Sequence, residues 1–245
     1  MIRFIISLLI STFTISAFGQ TSFTEASDRL ANQFVNSGAA MGVVDMNGDG
    51  LDDIVRLHRT TQLVIEHQTA SGSFENIVTG IDTPLSNWSL CIDDIDKNGA
   101  NDIFLGTANS PHGIVWSDES GKSFNLQILN GPPILPQGSN FADIDNDGDS
   151  DLFICNDNGS NFTYRNDGGQ ELIYDTSLAP TNTTIPSDNS GNYASIWIDY
   201  DNDDDLDLYI SKCRLGIMEI TDPRRINMLW ENDGNGNYTE VALQR

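Results

Sequence analysis

The chain is poor in positive charge, poor in cysteine and histidine, and free of long apolar runs beyond its first twenty residues. Of 245 residues only 12 are Lys or Arg, against 36 Asp or Glu, a formal net charge of −24. Such a surface repels phosphate backbones and anionic headgroups, so nucleic acid and membrane surfaces are excluded as partners. The three cysteines, Cys91, Cys155 and Cys213, form no Cys-x-x-Cys pair, which removes zinc-ribbon and dithiol redox chemistry. Cys155 and Cys213 each follow an acidic loop and strand, and a disulfide between them stays open as one possibility. The three histidines, His58, His67 and His112, have no metalloprotease spacing and read as surface or hairpin residues. Nucleophile-elbow, phosphate-loop and dinucleotide fingerprints are all missing.

The first twenty residues behave differently from the rest. Met1-Ile2-Arg3 supplies one positive charge, Phe4 to Ile10 is apolar, and Ser16-Ala17-Phe18-Gly19-Gln20 closes with small residues. That is the layout of a signal peptide over 1–19, cut before Gln20, with a mature chain over 20–245. Ser11, Thr12 and Thr14 interrupt the apolar stretch and leave it too short for a span. The expectation is a secreted or cell-surface protein, periplasmic or outer-membrane-associated in a Gram-negative host, with no membrane insertion after cleavage. Outside the cytoplasm even calcium sites with dissociation constants of ~10⁻⁴–10⁻³ M can fill.

The acids are concentrated in four matched segments, each followed by an apolar, β-prone run. They are Asp45-Met-Asn-Gly-Asp-Gly-Leu-Asp-Asp53, Asp94-Ile-Asp-Lys-Asn-Gly-Ala-Asn-Asp102, Asp143-Ile-Asp-Asn-Asp-Gly-Asp-Ser-Asp151 and Asp199-Tyr-Asp-Asn-Asp-Asp-Asp-Leu-Asp207. Their first residues lie 49, 49 and 56 positions apart. Apolar residues also precede the loops, so each loop joins two strands. Half a repeat later come Leu63-Val64-Ile65, Ile114-Val115-Trp116, Phe162-Thr163-Tyr164 and Met228-Leu229-Trp230. Turn clusters follow, among them Asn166-Asp167-Gly168-Gly169 and Asn232-Asp233-Gly234. Each unit is therefore strand, acidic loop, strand, strand, hairpin, strand. That is one propeller blade, and the fold expected is all-β: a β-propeller of four-stranded antiparallel blades. The segment Ser22-Phe23-Thr24-Glu25 resembles the last strand Asn237-Tyr238-Thr239-Glu240 and is expected to complete a blade at the other end of the chain. Four blades are few for a ring, which points to a partial arc or to further repeats outside this sequence.

Carboxylates on alternate residues of a tight loop can converge on one hard cation that takes six to eight oxygens. The side chains expected as ligands are Asp45, Asn47, Asp49 and Asp53; Asp94, Asp96, Asn98 and Asp102; Asp143, Asp145, Asp147 and Asp151; and Asp199, Asp201, Asp203 and Asp207. The backbone carbonyls of Leu51, Ala100, Asp149 and Asp205 complete each set. Gly50, Gly99 and Gly148 occupy the sixth position, where the turn calls for positive φ; the fourth loop has Asp204 there. Asn47 and Asn98 lower the ligand charge of the first two loops. Position twelve is Arg56, Leu105, Ile154 and Ile210, so the bidentate Glu of an EF-hand is missing. Magnesium keeps its waters and seldom takes an all-protein cage, which leaves Ca²⁺, about one per loop and up to four.

Asp-x-Asp/Asn-x-Asp/Asn-Gly-x-x-Asp followed by an apolar strand resembles the FG-GAP or VCBS repeat of the integrin α-subunit propeller. The Asn-Asp-Gly-x-Gly-x-Tyr-Thr-Glu unit at 232–240, with Ser211-Lys-Cys213-Arg and Asp222-Pro-Arg-Arg-Ile-Asn227, is similar to bacterial secreted proteins related to cartilage acidic protein. The resemblance implies calcium in the loop joining two strands of a blade and a role in extracellular binding or adhesion to a protein or glycan, without catalysis. An alternative is a calcium-dependent polysaccharide lyase, for which Lys212, Arg214, Arg224 and Arg225 are the only clustered basic residues. Pairing of those arginines with neighbouring acids is the simpler expectation.

Overall fold

The computed structural model describes residues 24–83, 86–181 and 190–242. Four antiparallel sheets of four strands each follow one another along the chain. The first blade is β1 (Ser37–Val44), β2 (Asp53–His58), β3 (Gln62–Gln68) and β4 (Phe74–Ile77); the second is β5 (Asn87–Asp93), β6 (Asp102–Thr107), β7 (Gly113–Ser117) and β8 (Phe124–Ile128). The third is β9 (Pro136–Ala142), β10 (Asp151–Asn156), β11 (Phe162–Asn166) and β12 (Leu172–Tyr174). The fourth is β13 (Asn192–Ile198), β14 (Asp207–Lys212), β15 (Met228–Asn232) and β16 (Tyr238–Glu240). In each sheet the strands pair in chain order, so β1, β5, β9 and β13 are the inner strands and pack side by side in sequence. The architecture is the expected propeller of four-stranded blades, and no sheet joins the fourth blade to the first among the described residues.

The second strands read as near-continuous apolar runs because both faces of a blade are covered. All six residues of β6 and all six of β10 are buried. Period-2 alternation sends Phe104 and Ile114 towards the third blade, while Ile103 and Val115 pack on the first. Phe153 likewise faces the fourth blade, against Trp197 with ring centroids 5.6 Å apart. The second loop residue joins each interface: Met46, Ile95 and Ile144 are all buried in the core shared with the following blade. The fourth blade departs from this. On its far face Ile196 and Ile198 are 58% and 48% exposed, where the equivalent positions of earlier blades meet a neighbour. The far face of the first blade is partly covered by its own chain: Asn32 N–H donates to Glu66, Arg56 donates to the Asn32 carbonyl, and Arg56 pairs with the buried Glu66, while Met41 and Val43 on the same face stay exposed.

Three expectations change. Thr24–Ala26 lie outside any strand and lead into a single 3-10 turn, Ser27–Arg29, while the fourth blade closes with its own β16. Blade closure by an exchanged N-terminal strand is therefore not found among the described residues; Ser22 and Phe23 lie outside them, as does the signal-peptide segment. Two histidines are interior rather than on the surface: His67 is 5% and His112 is 1% exposed. His112 does sit at the β6–β7 hairpin as expected, but turned inward to accept a hydrogen bond from Thr107 N–H at 3.1 Å. Cys155 is buried and Cys213 exposed, and all three thiols are free.

Candidate metal centres

Each acidic loop joins the inner strand of a blade to its second strand. The nine residues close through hydrogen bonds that repeat in register. The first Asp accepts the N–H of the sixth residue: Gly50 to Asp45 at 2.7 Å, Gly99 to Asp94 at 3.0 Å, Gly148 to Asp143 at 3.0 Å, Asp204 to Asp199 at 3.3 Å. The fifth side chain accepts the N–H of the seventh, so Asp49, Asn98, Asp147 and Asp203 serve Leu51, Ala100, Asp149 and Asp205. Asx side chains bonding to backbone two residues on form such turns readily. The sixth residue has positive φ in all four loops: 83° at Gly50, 92° at Gly99, 93° at Gly148 and 72° at Asp204. The fourth position also has it, at Gly48, Lys97, Asn146 and Asn202. Spacing alone did not expose this second left-handed residue, although Gly and Asn at three of the four positions carried a signal.

The ninth Asp does more than the sequence suggested. Asp53, Asp102, Asp151 and Asp207 are each fully buried. One oxygen accepts the N–H of the second loop residue (Met46, Ile95, Ile144 or Tyr200, at 2.9–3.1 Å). The other accepts an N–H at the end of the third strand, from Gln68, Ser117, Asn166 or Asn232, each at 2.8 Å. This carboxylate ties the loop to two strands of its own blade. Asn166 goes further and donates to the Ile95 carbonyl of the second blade at 3.0 Å. Lys97 reaches from the second loop to Asp149 of the third at 2.6 Å, and Asn101 from the second blade to the Asp45 carbonyl of the first.

The expected ligand sets converge to different degrees. Asp94, Asp96 and Asp102 bring carboxylate oxygens within 4.8 Å of one another, as do Asp143, Asp145 and Asp151, and Asp199, Asp201 and Asp203. In the third and fourth loops Oδ1 of Asp143 and of Asp205 is buried with no hydrogen-bond partner. Unpaired buried carboxylate oxygens beside like charges are what a hard cation would satisfy, so the donors fit a calcium-type ion. The first loop shows no such trio among the described residues: Asn47 stands at the third position, and its amide nitrogen is 3.2 Å from Nδ1 of His67. Asp205, expected to contribute only a carbonyl, also places a nearly buried carboxylate beside Asp203 and Asp207. Leu51, Ala100 and Asp149 hold the matching seventh positions, where Ala100 is buried and Asp149 is engaged by Lys97.

Electrostatics mark the same positions. Burial pushes Asp102 and Asp151 up to about 7, with added repulsion from Asp96 in one case and from Asp145 and Asp147 in the other. Burial also raises Asp53, and burial followed by the charges of Asp203, Asp207 and Asp201 takes Asp205 to about 6. Asp45 moves the opposite way. Burial works to raise it, but the backbone N–H donors of Gly50, Asn47 and Asp49 outweigh that and hold it below the usual carboxylate range. Two arginines of the basic cluster pair with acids, Arg224 with Asp222 at 2.6 Å and Arg214 with Asp157 at 3.0 Å, whereas Arg225 is placed against Cys213 Sγ at 3.9 Å.

A lectin from Agrocybe aegerita, described as recognising non-reducing terminal N-acetylglucosamine, superposes with a TM-score of 0.50 at 15% identity, over 80% of this chain and 49% of the lectin. A putative exo-β-1,3-galactanase from Bifidobacterium bifidum S17 gives a TM-score of 0.48 at 11% identity, over 82% of this chain and 68% of the galactanase. This chain thus spans about half the length of the lectin, and that likeness is one of fold. No curated protein matches the sequence. The FG-GAP-like repeat profile matches residues 45–105 and 143–210, just over half of the chain and all four acidic loops entire. With its blades and its in-register acidic loops, the chain belongs to the FG-GAP-like repeat family.

Proposed function

We propose that this chain is a secreted calcium-binding propeller that serves as an extracellular binding or adhesion module for a protein or glycan. The observation that carries the reading is the convergence of three carboxylates within 4.8 Å in three of four in-register loops. Calcium would be held in the second loop by Asp94, Asp96 and Asp102, in the third by Asp143, Asp145 and Asp151, and in the fourth by Asp199, Asp201 and Asp203, with Asp45, Asp49 and Asp53 a weaker set in the first. The ion would supply positive charge that lets the buried ninth carboxylate ionise while keeping its two backbone bonds. Its role is structural, because the ligands are consumed in closing each blade. A binding role without catalysis is supported by Arg224 and Arg214, which are committed to Asp222 and Asp157 and so poorly placed to act on a uronate.

The test is thermal unfolding of residues 20–245 with calcium and with chelator, with bound metal counted on the native protein. A ligand that binds only the folded state at a hundred times its dissociation constant adds about 2.7 kcal/mol per site. A midpoint that climbs with calcium concentration, at three to four ions per chain, supports the proposal. No shift and no bound ion would sink it.

A further inference from the structure

Large apolar side chains in this protein go between blades, and Phe104, Trp116, Phe153 and Tyr164 are all buried there. Among the described residues four aromatic side chains are exposed instead, Phe34, Trp88, Tyr174 and Tyr193, and two of them share one wall. Trp88 is 44% and Tyr193 is 45% exposed, and both line one cavity of about 320 Å³ bounded by all four inner strands. Ligand pockets start at ~300 Å³, so this one suits a small group or the end of a chain.

We infer that this axial cavity is a binding site for a neutral saccharide; the inference deepens the proposed binding role and rests on it. The first argument is charge. None of the ten residues lining the cavity is Asp, Glu, His, Lys or Arg, in a chain of net charge −24. A site for a metal cation would draw on some of the 36 acids, and a site for a uronate or sulfated sugar would need Lys or Arg. Neither is on the wall.

The second argument is the mixture of surfaces. Saccharide rings offer apolar C–H faces edged by hydroxyls, and they are met by aromatic faces beside amide and hydroxyl groups. The cavity has both. The Trp88 indole is held in place by Nε1–H donating to Gln137 Oε1 at 2.9 Å. Ser89 and Ser139 join hydroxyls at 2.7 Å on the wall, and Met41, 58% exposed, adds a flexible apolar edge. One side of the wall is rigid. A Cβ on Gly138 would come within 2.9 Å of the Ala194 Cα and 3.1 Å of the Tyr193 carbonyl, so β9 and β13 meet there in backbone contact.

The third argument is position. Trp88, Gln137 and Tyr193 are each the second residue of their inner strand, whereas the acidic loops follow the other ends of those strands. The saccharide site and the metal centres are therefore at opposite ends of the blades. Sugar binding needs the blades assembled but not a cation in contact with the sugar.

The experiment titrates the calcium-loaded chain with chitotriose, cellotriose, mannotriose and galactotriose, following tryptophan fluorescence and calorimetric heat. Trigalacturonate and tetramethylammonium serve as anionic and cationic probes. At least one neutral sugar is expected to saturate at one per chain. Trp88→Ala and Tyr193→Ala are each expected to weaken it tenfold or more while leaving the calcium-dependent unfolding midpoint unchanged; Trp88→Phe, which keeps a ring, should recover part of the loss. The inference is overturned if no neutral sugar saturates, if a charged probe binds better, or if both alanine variants bind like the parent. The calcium shift in midpoint is read independently, so loss of the saccharide site and failure of the metal-binding role give different results.

Discussion

Acid should weaken this protein through one buried imidazole, and a single substitution should remove that weakness. His112 is 1% exposed, lies edge-on to Phe104 at 5.7 Å, and accepts Thr107 N–H through Nδ1. Its Nε2 is buried without a partner, so a second proton would place a charge against apolar neighbours. Burial therefore lowers it from 6.5 to about 4. The folded state keeps His112 neutral while the unfolded chain binds a proton below pH ~6.5, so stability is present at neutral pH and declines as pH falls towards 4. At about 1.4 kcal/mol per pH unit, the loss approaches ~3 kcal/mol by pH 4. The repeat itself supplies the control. In the third blade Asn161 Oδ1 accepts Asn156 N–H at 3.1 Å, the same bond at the same place. His112→Asn should keep that bond, with a constant offset for the lost contact to Phe104. Denaturant unfolding of both proteins from pH 7 to 4 in chelator is the assay. Asp102 and Asp151, raised to about 7, act with the opposite sign in that medium, but they belong to both proteins and lie at the other end of the blades. The difference between the two curves should narrow by ~2–3 kcal/mol between pH 6.5 and 4. Parallel curves would refute the reasoning.

Asp151→Ala strands two buried N–H groups, of Ile144 and Asn166, and should cost about 2–6 kcal/mol in chelator by denaturant titration; Asp151→Asn, which keeps one acceptor, should cost less than Ala and still lose the third loop's calcium. If Ala and Asn are equal in chelator, the backbone latch is not what the carboxylate provides. Asp204→Gly relieves a left-handed residue at φ 72° and should stabilise by ~1 kcal/mol, read as a raised denaturant midpoint. Asn47→Asp adds a carboxylate to the first loop and should increase bound calcium at sub-millimolar concentration, measured by equilibrium dialysis; unchanged stoichiometry would mean that loop does not bind.

Much of this was legible because it rests on local chemistry. Asp and Asn at alternate positions, glycine at the sixth, and apolar runs on each side placed the loops and the strands after them correctly. The ninth Asp was read as a ligand only, because its second bond goes to a backbone fifteen or twenty-five residues away. Asn166 and Asn232 were read as hairpin residues, although their amides close the blade. His112 carried no signal of burial: a polar residue in a turn points inward only where a strand-end N–H lacks an acceptor. Asn87 and Asn161 are likewise interior, each 1% exposed and bonded inside its turn. The axial cavity drew on residues some fifty positions apart, on strands whose neighbours only the blade order reveals.

Each blade takes all four of its strands from one stretch of chain, with none borrowed from elsewhere among the described residues. Contacts within a blade are therefore short in sequence, and the extensive contacts between blades run to the next one. A chain of this kind can fold in the order in which it emerges, one blade resting on the last, without waiting for its far end. The same modularity bears on how such a protein changes over generations. Copying or deleting one unit of about fifty residues leaves every remaining strand register, acid loop and inter-blade face intact, so blade number is free to drift while the chemistry of each blade stays fixed.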